Sequence, residues 1–142
     1  MEHAAHSSIM MYLEHHSIMS DQKHGFCKSR SCKTQLILTV NDPAKGIDDS
    51  SQISAILLDF LKAFYKVPHS PLLLKLKHYG VSSSTLNWIT DFLDERTQDV
   101  VLDGQVSSDA RVTSGVAQSI VLGPLLFFVY INDLPSRVPQ QF

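Results

Sequence analysis

The spacing of apolar positions changes several times along the chain, and each change marks an element. Met10, Met11, Leu13, Ile18 and Met19 recur loosely at helical spacing and predict a first helix that turns near His15 and His16. After the polar stretch "SDQKHGFCKSRSCKTQ", Leu36, Ile37 and Val40 fit a helix over about 32–45, with Ser31 able to cap it, in spite of Pro43. The same β-rich run also fits a short strand over 36–40, and both readings stand open at this point. "ISAILLDF", residues 53–60, predicts a strand buried on both faces that delivers Asp59 at its end. "HSPLLLKLKHYG" predicts a helix with Ser70 as N-cap, Pro71 at the first helical position, Leu72, Leu73, Leu76 and Tyr79 on its apolar face, and Gly80 as its stop. "SSTLNWITDFLDER" predicts another, with Leu86, Trp88, Ile89, Phe92 and Leu93 inward and its acids outward. In "TQDVVLDGQVSSDARVTSG", Asp103-Gly104 supplies a hairpin turn between strands of about 98–102 and 105–113. Pro124 is tolerated only in a first turn, so "SIVLGPLLFFVYINDLP" predicts a helix from Leu122 or Gly123 to about Asn132, ending before Pro135. Such alternation favours α/β or α+β layers over a bundle or sandwich.

Composition narrows the class without naming a chemistry. The 142 residues fit one domain, and 44% hydrophobic with 18% charged residues is the balance of a folded chain. A formal net charge of -2 is no global sign of nucleic-acid binding. Its distribution says more, because residues 61–80 hold Lys62, Lys66, Lys75 and Lys77 and no acid. Residues 86–109 hold Asp91, Asp94, Glu95, Asp99, Asp103 and Asp109 against Arg96. A basic side and an acidic side are expected, unless packing interleaves them. Cys27 and Cys32 are too few for a disulfide scaffold. The first residues lack the pattern of a signal peptide, and "VLGPLLFFVYI" is too short to span a bilayer, so an intracellular chain that is neither secreted nor membrane-bound is expected, nuclear or cytoplasmic.

Three places carry candidate chemistry. Asp59 at a strand end suits a hard cation such as Mg²⁺, and equally suits capping of the turn that follows. Phe64 and Tyr65 between Lys62 and Lys66 fit a base-stacking surface beside phosphate contacts, or a core edge ringed by solvated lysines. "VTSGVAQSIVLGPLLF" is a glycine turn entering a helix: it could hold an anion on its N–H groups, or be an ordinary connection. It lacks the Gly-Lys-Ser/Thr ending of a Walker A loop. His24, Cys27 and Cys32 do not have the spacing of a structural zinc site, and no G-x-S-x-G nucleophile motif occurs.

Four blocks in order, "HSSIMMYLEHHSIMSDQKHGFCKSRSCKTQL", "AILLDFLKAFYKVPHSPLLLKLKHYGV", "WITDFLDERTQDVVLDGQ" and "VTSGVAQSIVLGPLLFFVYINDLP", resemble the reverse transcriptase of non-LTR (LINE-type) retrotransposons over roughly residues 6–138. The resemblance implies an α+β fold, namely incomplete fingers and palm of a right-hand polymerase, mixed helices with a small antiparallel sheet. About 6–52 would be a fingers portion and 53–142 a partial palm with inserted fingers elements. It places Asp59 at the first metal-binding and catalytic aspartate, and Phe60, Phe64, Gly115 and Gln118 at nucleotide-binding positions. Phe64 would lie under the incoming sugar. Phe26, Lys28 and Arg30 fall in the fingers block, and Lys28, Arg30, Lys62 and Lys66 are the candidate template or phosphate contacts.

By the same resemblance the parent reaction is nucleotidyl transfer to a primer 3'-hydroxyl, with an RNA template, a DNA primer, dNTPs and Mg²⁺. Two Mg²⁺ ions about 4 Å apart need several carboxylate ligands. The family supplies the partners of Asp59 in a later aromatic-Ala-Asp-Asp block, which these residues do not include. Asp133, near a helix end, is no substitute. These 142 residues are therefore expected to be inactive alone, to bind Mg²⁺ weakly, and to retain at most weak nucleic-acid binding or a structural, protein-binding role. Cys27 replaces a usual Arg, Tyr65 a usual Asp, and Ala117 and Ser119 a usual Pro and Gly, as in a decaying element copy.

Overall fold

The computed structural model describes residues 2–20, 25, 31–50, 52–118 and 120–137. It is a mixed α+β domain with helices and two small antiparallel sheets. The chain divides into two compact units, Met1–Met19 with Lys62–Phe142, and Ser20–Leu61.

The first unit is built around one apolar helix. Helix α1 (Glu2–His15) turns at Ser17, as the histidine pair predicts, and buries Ile9 and Leu13. After Lys62 come a short 3-10 turn (Phe64–Lys66), α3 (His69–His78) and α4 (Ser83–Asp94). Later in the unit stand α5 (Leu122–Tyr130) and a single turn, α6 (Leu134–Arg137). Helix α5 packs against α1, α3 and the 3-10 turn, so Leu122, Leu125, Leu126 and Val129 meet Leu72 and Leu76 in one buried cluster with Ile9 and Leu13. Burying each such side chain fully contributes about 1.5–3 kcal/mol. Polar groups at the edge of this cluster are paired: Asn132 Nδ2 donates to Ile18 O at 2.7 Å, and Tyr12 Oη donates to Tyr79 O at 3.1 Å.

Helix ends follow local chemistry, with two corrections. Ser82 Oγ accepts from Thr85 N–H at 3.4 Å and opens α4, and Gly80 at φ +81° ends α3 as expected. Ser70 is not the cap of α3, however. The helix begins at His69 after Pro68, because the His69 side chain is anchored inside and draws the first turn forward. Helix α5 stops at Tyr130 rather than Asn132, and Pro135 sits inside α6, in its first turn where its missing N–H costs nothing.

The hairpin turns on Asp103 and Gly104, both at positive φ, as a primed turn requires. Its pairing is broken into β2 (Val101–Leu102) with β3 (Gln105–Val106), and β1 (Thr97–Gln98) with β4 (Ala110–Arg111). Asp99 and Val100 face Ser107, Ser108 and Asp109, so the second arm carries one extra residue, a bulge. The continuous strands expected over 98–102 and 105–113 are thus cut short.

In the second unit the helical alternative for 32–45 is the correct one. Helix α2 (Cys32–Asp48) starts with a capping box in which Ser31 Oγ accepts from Thr34 N–H at 3.2 Å and Thr34 Oγ1 accepts from Ser31 N–H at 3.0 Å. Leu36, Ile37, Leu38, Val40 and Ile47 are all exposed on it.

The buried strand expected over 53–60 is overturned: residues 52–60 form no strand, and every one is exposed, Leu57 at 91%. A strand apolar on both faces is stable only when neighbours satisfy its backbone and cover its side chains. None of the described residues pairs with this segment. Among the described residues no helix is long and apolar enough to cross a membrane.

These burial differences set a stability contrast. Leu126→Ala should lower unfolding free energy by about 2–5 kcal/mol, whereas Leu57→Ala should change it by less than about 0.5 kcal/mol. Urea midpoints of the two variants check this, and comparable losses would show that the 53–60 segment is packed after all.

Candidate functional site

The glycine block is fastened to the aromatic turn chiefly through its backbone. Gly115 N–H donates to Val67 O at 2.7 Å, Val116 N–H donates to Phe64 O at 2.9 Å, and Ser114 bridges to Pro68 in an antiparallel contact. Gly115 lies at φ +93°, and a Cβ there would meet the Tyr65 carbonyl oxygen at 2.8 Å and its Cα at 2.9 Å. Only glycine satisfies both conditions. His69, buried beneath, holds the same loop by donating from Nε2 to Gly115 O at 2.9 Å; a carbonyl can only accept, which assigns the proton to Nε2.

Phe64 is half-buried and stacks on Phe127 of α5, with ring centroids 4.5 Å apart and planes 27° apart. Of the two readings offered by its sequence, the core-edge one describes its packing, while its position beside Gly115 keeps it at the surface of the loop. Lys62 and Lys66 are exposed, and Lys66 N–H closes the turn on Lys62 O at 3.1 Å. Lys62 itself holds a positive φ of 56°. Gln118 is exposed in the turn before α5. The structure therefore brings Phe64 and Gly115 together with the Lys62–Lys66 turn.

Asp59 and Phe60 belong to the other unit, where both are exposed on the unpaired segment. Among the described residues no three His, Cys, Asp or Glu side chains gather as a metal site. Phe26, Cys27, Lys28, Arg30 and Ser119, and the His24 considered with the cysteines, lie outside the described residues; Cys32 is a free, exposed thiol.

Asp133 is committed elsewhere. It accepts from the Lys75 ammonium, which also reaches Tyr130 O, and from Arg137 Nε at 2.8 Å. The hydrogen bond from Lys75, opposed by partial burial and reinforced by Arg137, holds its carboxyl at about 2, below the ordinary 3.8. A carboxylate saturated by two cations is a poor metal ligand, which agrees with its exclusion from the metal set.

Sequence reasoning missed one grouping. Lys62, Tyr65, Gln98, Arg111, Val112, Thr113 and Ser114 line an open groove of about 400 Å³ at the foot of the hairpin. Lys62 and Tyr65 stand in a flagged stretch, but Gln98 and Arg111 face the groove only because β1 and β4 pair, and nothing in their local pattern distinguishes them from solvated strand residues.

The family model for reverse transcriptase (RNA-dependent DNA polymerase) matches residues 4–142. The RNA-directed DNA polymerase from mobile element jockey of Drosophila melanogaster is 34% identical over 115 residues, covering 81% of this chain and 12% of that protein. The polymerase from transposon BS of the same organism is 31% identical over 124 residues, covering 83% and 13%. The probable polymerase from its transposon X-element is 28% identical over 128 residues, covering 90% and 14%. The chain thus spans between 12% and 14% of the length of these relatives. No solved structure matches the chain.

Two measurements follow. Gly115→Ala should destabilise the first unit by about 1–3 kcal/mol, from strain at positive φ and contact with Tyr65, and circular dichroism of its unfolding reads the loss. For Asp133, the unfolded carboxyl takes up its proton near 3.8 and the folded one only near 2, so between these values the unfolded chain binds more protons. The stabilisation, about 1 kcal/mol after allowing for solvent screening, is full above about pH 4 and is lost as the pH falls through about 2. Asp133→Asn should flatten this acid limb; an unchanged limb would remove Asp133 as its source.

Proposed function

Because the chain belongs to the reverse transcriptase (RNA-dependent DNA polymerase) family, we propose that it forms part of the fingers and palm of a retrotransposon polymerase. About 6–52 would supply a fingers portion, and 53–142 a partial palm carrying inserted fingers elements. Asp59 would be one catalytic carboxylate of the palm. Phe60, Phe64, Gly115 and Gln118 would face the incoming nucleotide, while Lys28, Arg30, Lys62 and Lys66 would contact template or phosphate.

The observation that carries this reading is the backbone clasp of Gly115 and Val116 on Phe64 and Val67. It joins two distant blocks at the residues assigned to the nucleotide, without using any side chain that the ligand would need. Phe64, wedged on Phe127, is held stiffly enough to serve as a floor beneath a sugar.

Magnesium is the cofactor generally expected of this family. The described residues do not fit it by themselves, since Asp59 is exposed and has no companion carboxylates gathered with it. The contribution of these residues is then positional: a nucleotide floor, a glycine loop of fixed shape and a lysine-bearing turn. The substrates of the polymerase, an RNA template, a DNA primer and dNTPs, would reach this chain as ligands.

The exposed apolar side chains of α2, with Leu36 64% and Ile37 65% exposed, favour a second reading as a structural or interaction protein derived from such an element. A stoichiometric protein partner retained when Lys62 and Lys66 are neutralised would favour it.

Primer extension with an RNA template and Mg²⁺ is expected to leave the primer unextended with this chain and with Asp59→Ala alike. Extension that disappears only in Asp59→Ala would show that these residues suffice for catalysis. Binding of single-stranded RNA should weaken with salt by about 0.7 in the log–log slope per phosphate neutralised; affinity indifferent to salt would sink the phosphate contacts.

A further inference from the structure

We infer that residues 53–60 are a self-association strand, along which two copies of this chain pair into an antiparallel β-ribbon. The inference goes beyond the polymerase reading, which assigns Asp59 to a metal and leaves the apolar run before it uncovered.

The run "ISAILLDF" contains neither Pro nor Gly, so each of its residues brings a donor and an acceptor to a ladder. Among the described residues none of these groups is paired. The side chains are as open as the backbone: Ile56, Leu57 and Leu58 are 83%, 91% and 79% exposed. Consecutive residues of an extended chain point to opposite faces, so both faces of the run are apolar. Uncharged, proline-free, apolar segments with open edges are those that pair with strands of another chain.

What fits the run is a strand of its own length, apolar on both faces and with its ladder open. The paired strands of the other unit are two residues long and exposed. Among the described residues, only the same run on a second copy meets these conditions. At a formal net charge of -2, two copies repel each other weakly. Asp59 is the one charge in the run, and it selects the direction of pairing. Parallel strands in register would set Asp59 on Asp59, whereas antiparallel strands carry the two carboxylates to opposite ends.

A two-stranded ribbon is marginal in water unless a helix covers it. Helix α2 lies in the same unit and is placed to do so. Ile53 packs on Gly46, so closely that a Cβ at 46 would collide with its side chain, and this contact sets the start of the run against the helix. Leu36, Val40 and Ile47, spaced four and seven apart, form a stripe along one side of α2, and all three are exposed. Pairing gives that stripe an apolar ribbon face to rest on.

Sedimentation velocity of the whole chain over about 1–100 μM should show reversible, concentration-dependent association. Hydrogen exchange should then protect the amides of 53–60, which exchange freely in the dilute chain. Leu57→Pro removes a ladder donor from the middle of the run and should weaken association at least about tenfold. Leu74→Lys, at an exposed apolar position of α3 outside the run, should leave association unchanged. Both side chains are exposed and Leu57 lies outside every helix and strand, so the fold should survive each change, and circular dichroism confirms it. Association lost in Val40→Lys but kept in Leu57→Pro would place the contact on α2 and overturn the strand pairing. A chain that stays monomeric throughout, or one that associates while its 53–60 amides still exchange freely, would overturn it too. The polymerase reading stands in each of these cases, because primer extension and the salt dependence of RNA binding test it separately.

Discussion

The first unit depends on a backbone-to-backbone contact that admits no side chain. Gly115 lies against Tyr65 with its N–H on Val67 O and its carbonyl on His69 Nε2. Any Cβ would collide with the Tyr65 peptide. From this clasp follow the direction in which the chain leaves the hairpin, the seating of Val116 in the core, and the approach of α5 to Phe64. A second glycine serves the same end: at Gly123 a Cβ would collide with Ala117 O, so the loop can fold back on the first turn of α5 only where the side chain is absent.

Helix α5 turns that clasp into a core. Its mean character is apolar nearly all round, and it is enclosed by α1, α3 and the aromatic turn, which is what such a helix requires in water. Where it ends, polarity returns in an ordered way: Asn132 closes the α1 turn and Asp133 neutralises Lys75. The Asn-Asp pair is therefore structural, and the Lys75 ammonium is withdrawn from the basic stretch of residues 61–80.

The lysine-rich stretch shows how charge is sorted by folding. Lys62 and Lys66 stay exposed on the aromatic turn, Lys75 is consumed by Asp133 and Tyr130, and Lys77 remains solvated. Across from Lys62 the hairpin contributes Arg111, a cation from the segment that sequence marked as acidic. The groove thus gathers one cation from the aromatic turn and one from the hairpin, and no carboxylate lines it.

Helices were legible along the chain because their information is local: period, caps and stops lie within a few residues, as with Ser31, Gly80 and the Asp103-Gly104 turn. Family membership was equally legible, since four ordered blocks need no coordinates. The segment carrying Asp59 was misread because a strand is a relation between stretches of chain, and its apolar run says nothing about whether a partner is there to pair with it. Phe64 and Gly115 could be singled out from their blocks, but not the hydrogen bonds that join them, nor Arg111 and Gln98 facing Tyr65. Those depend on a strand pairing and a glycine clasp between distant residues, and distance along a chain carries no signal of contact until folding closes the loop.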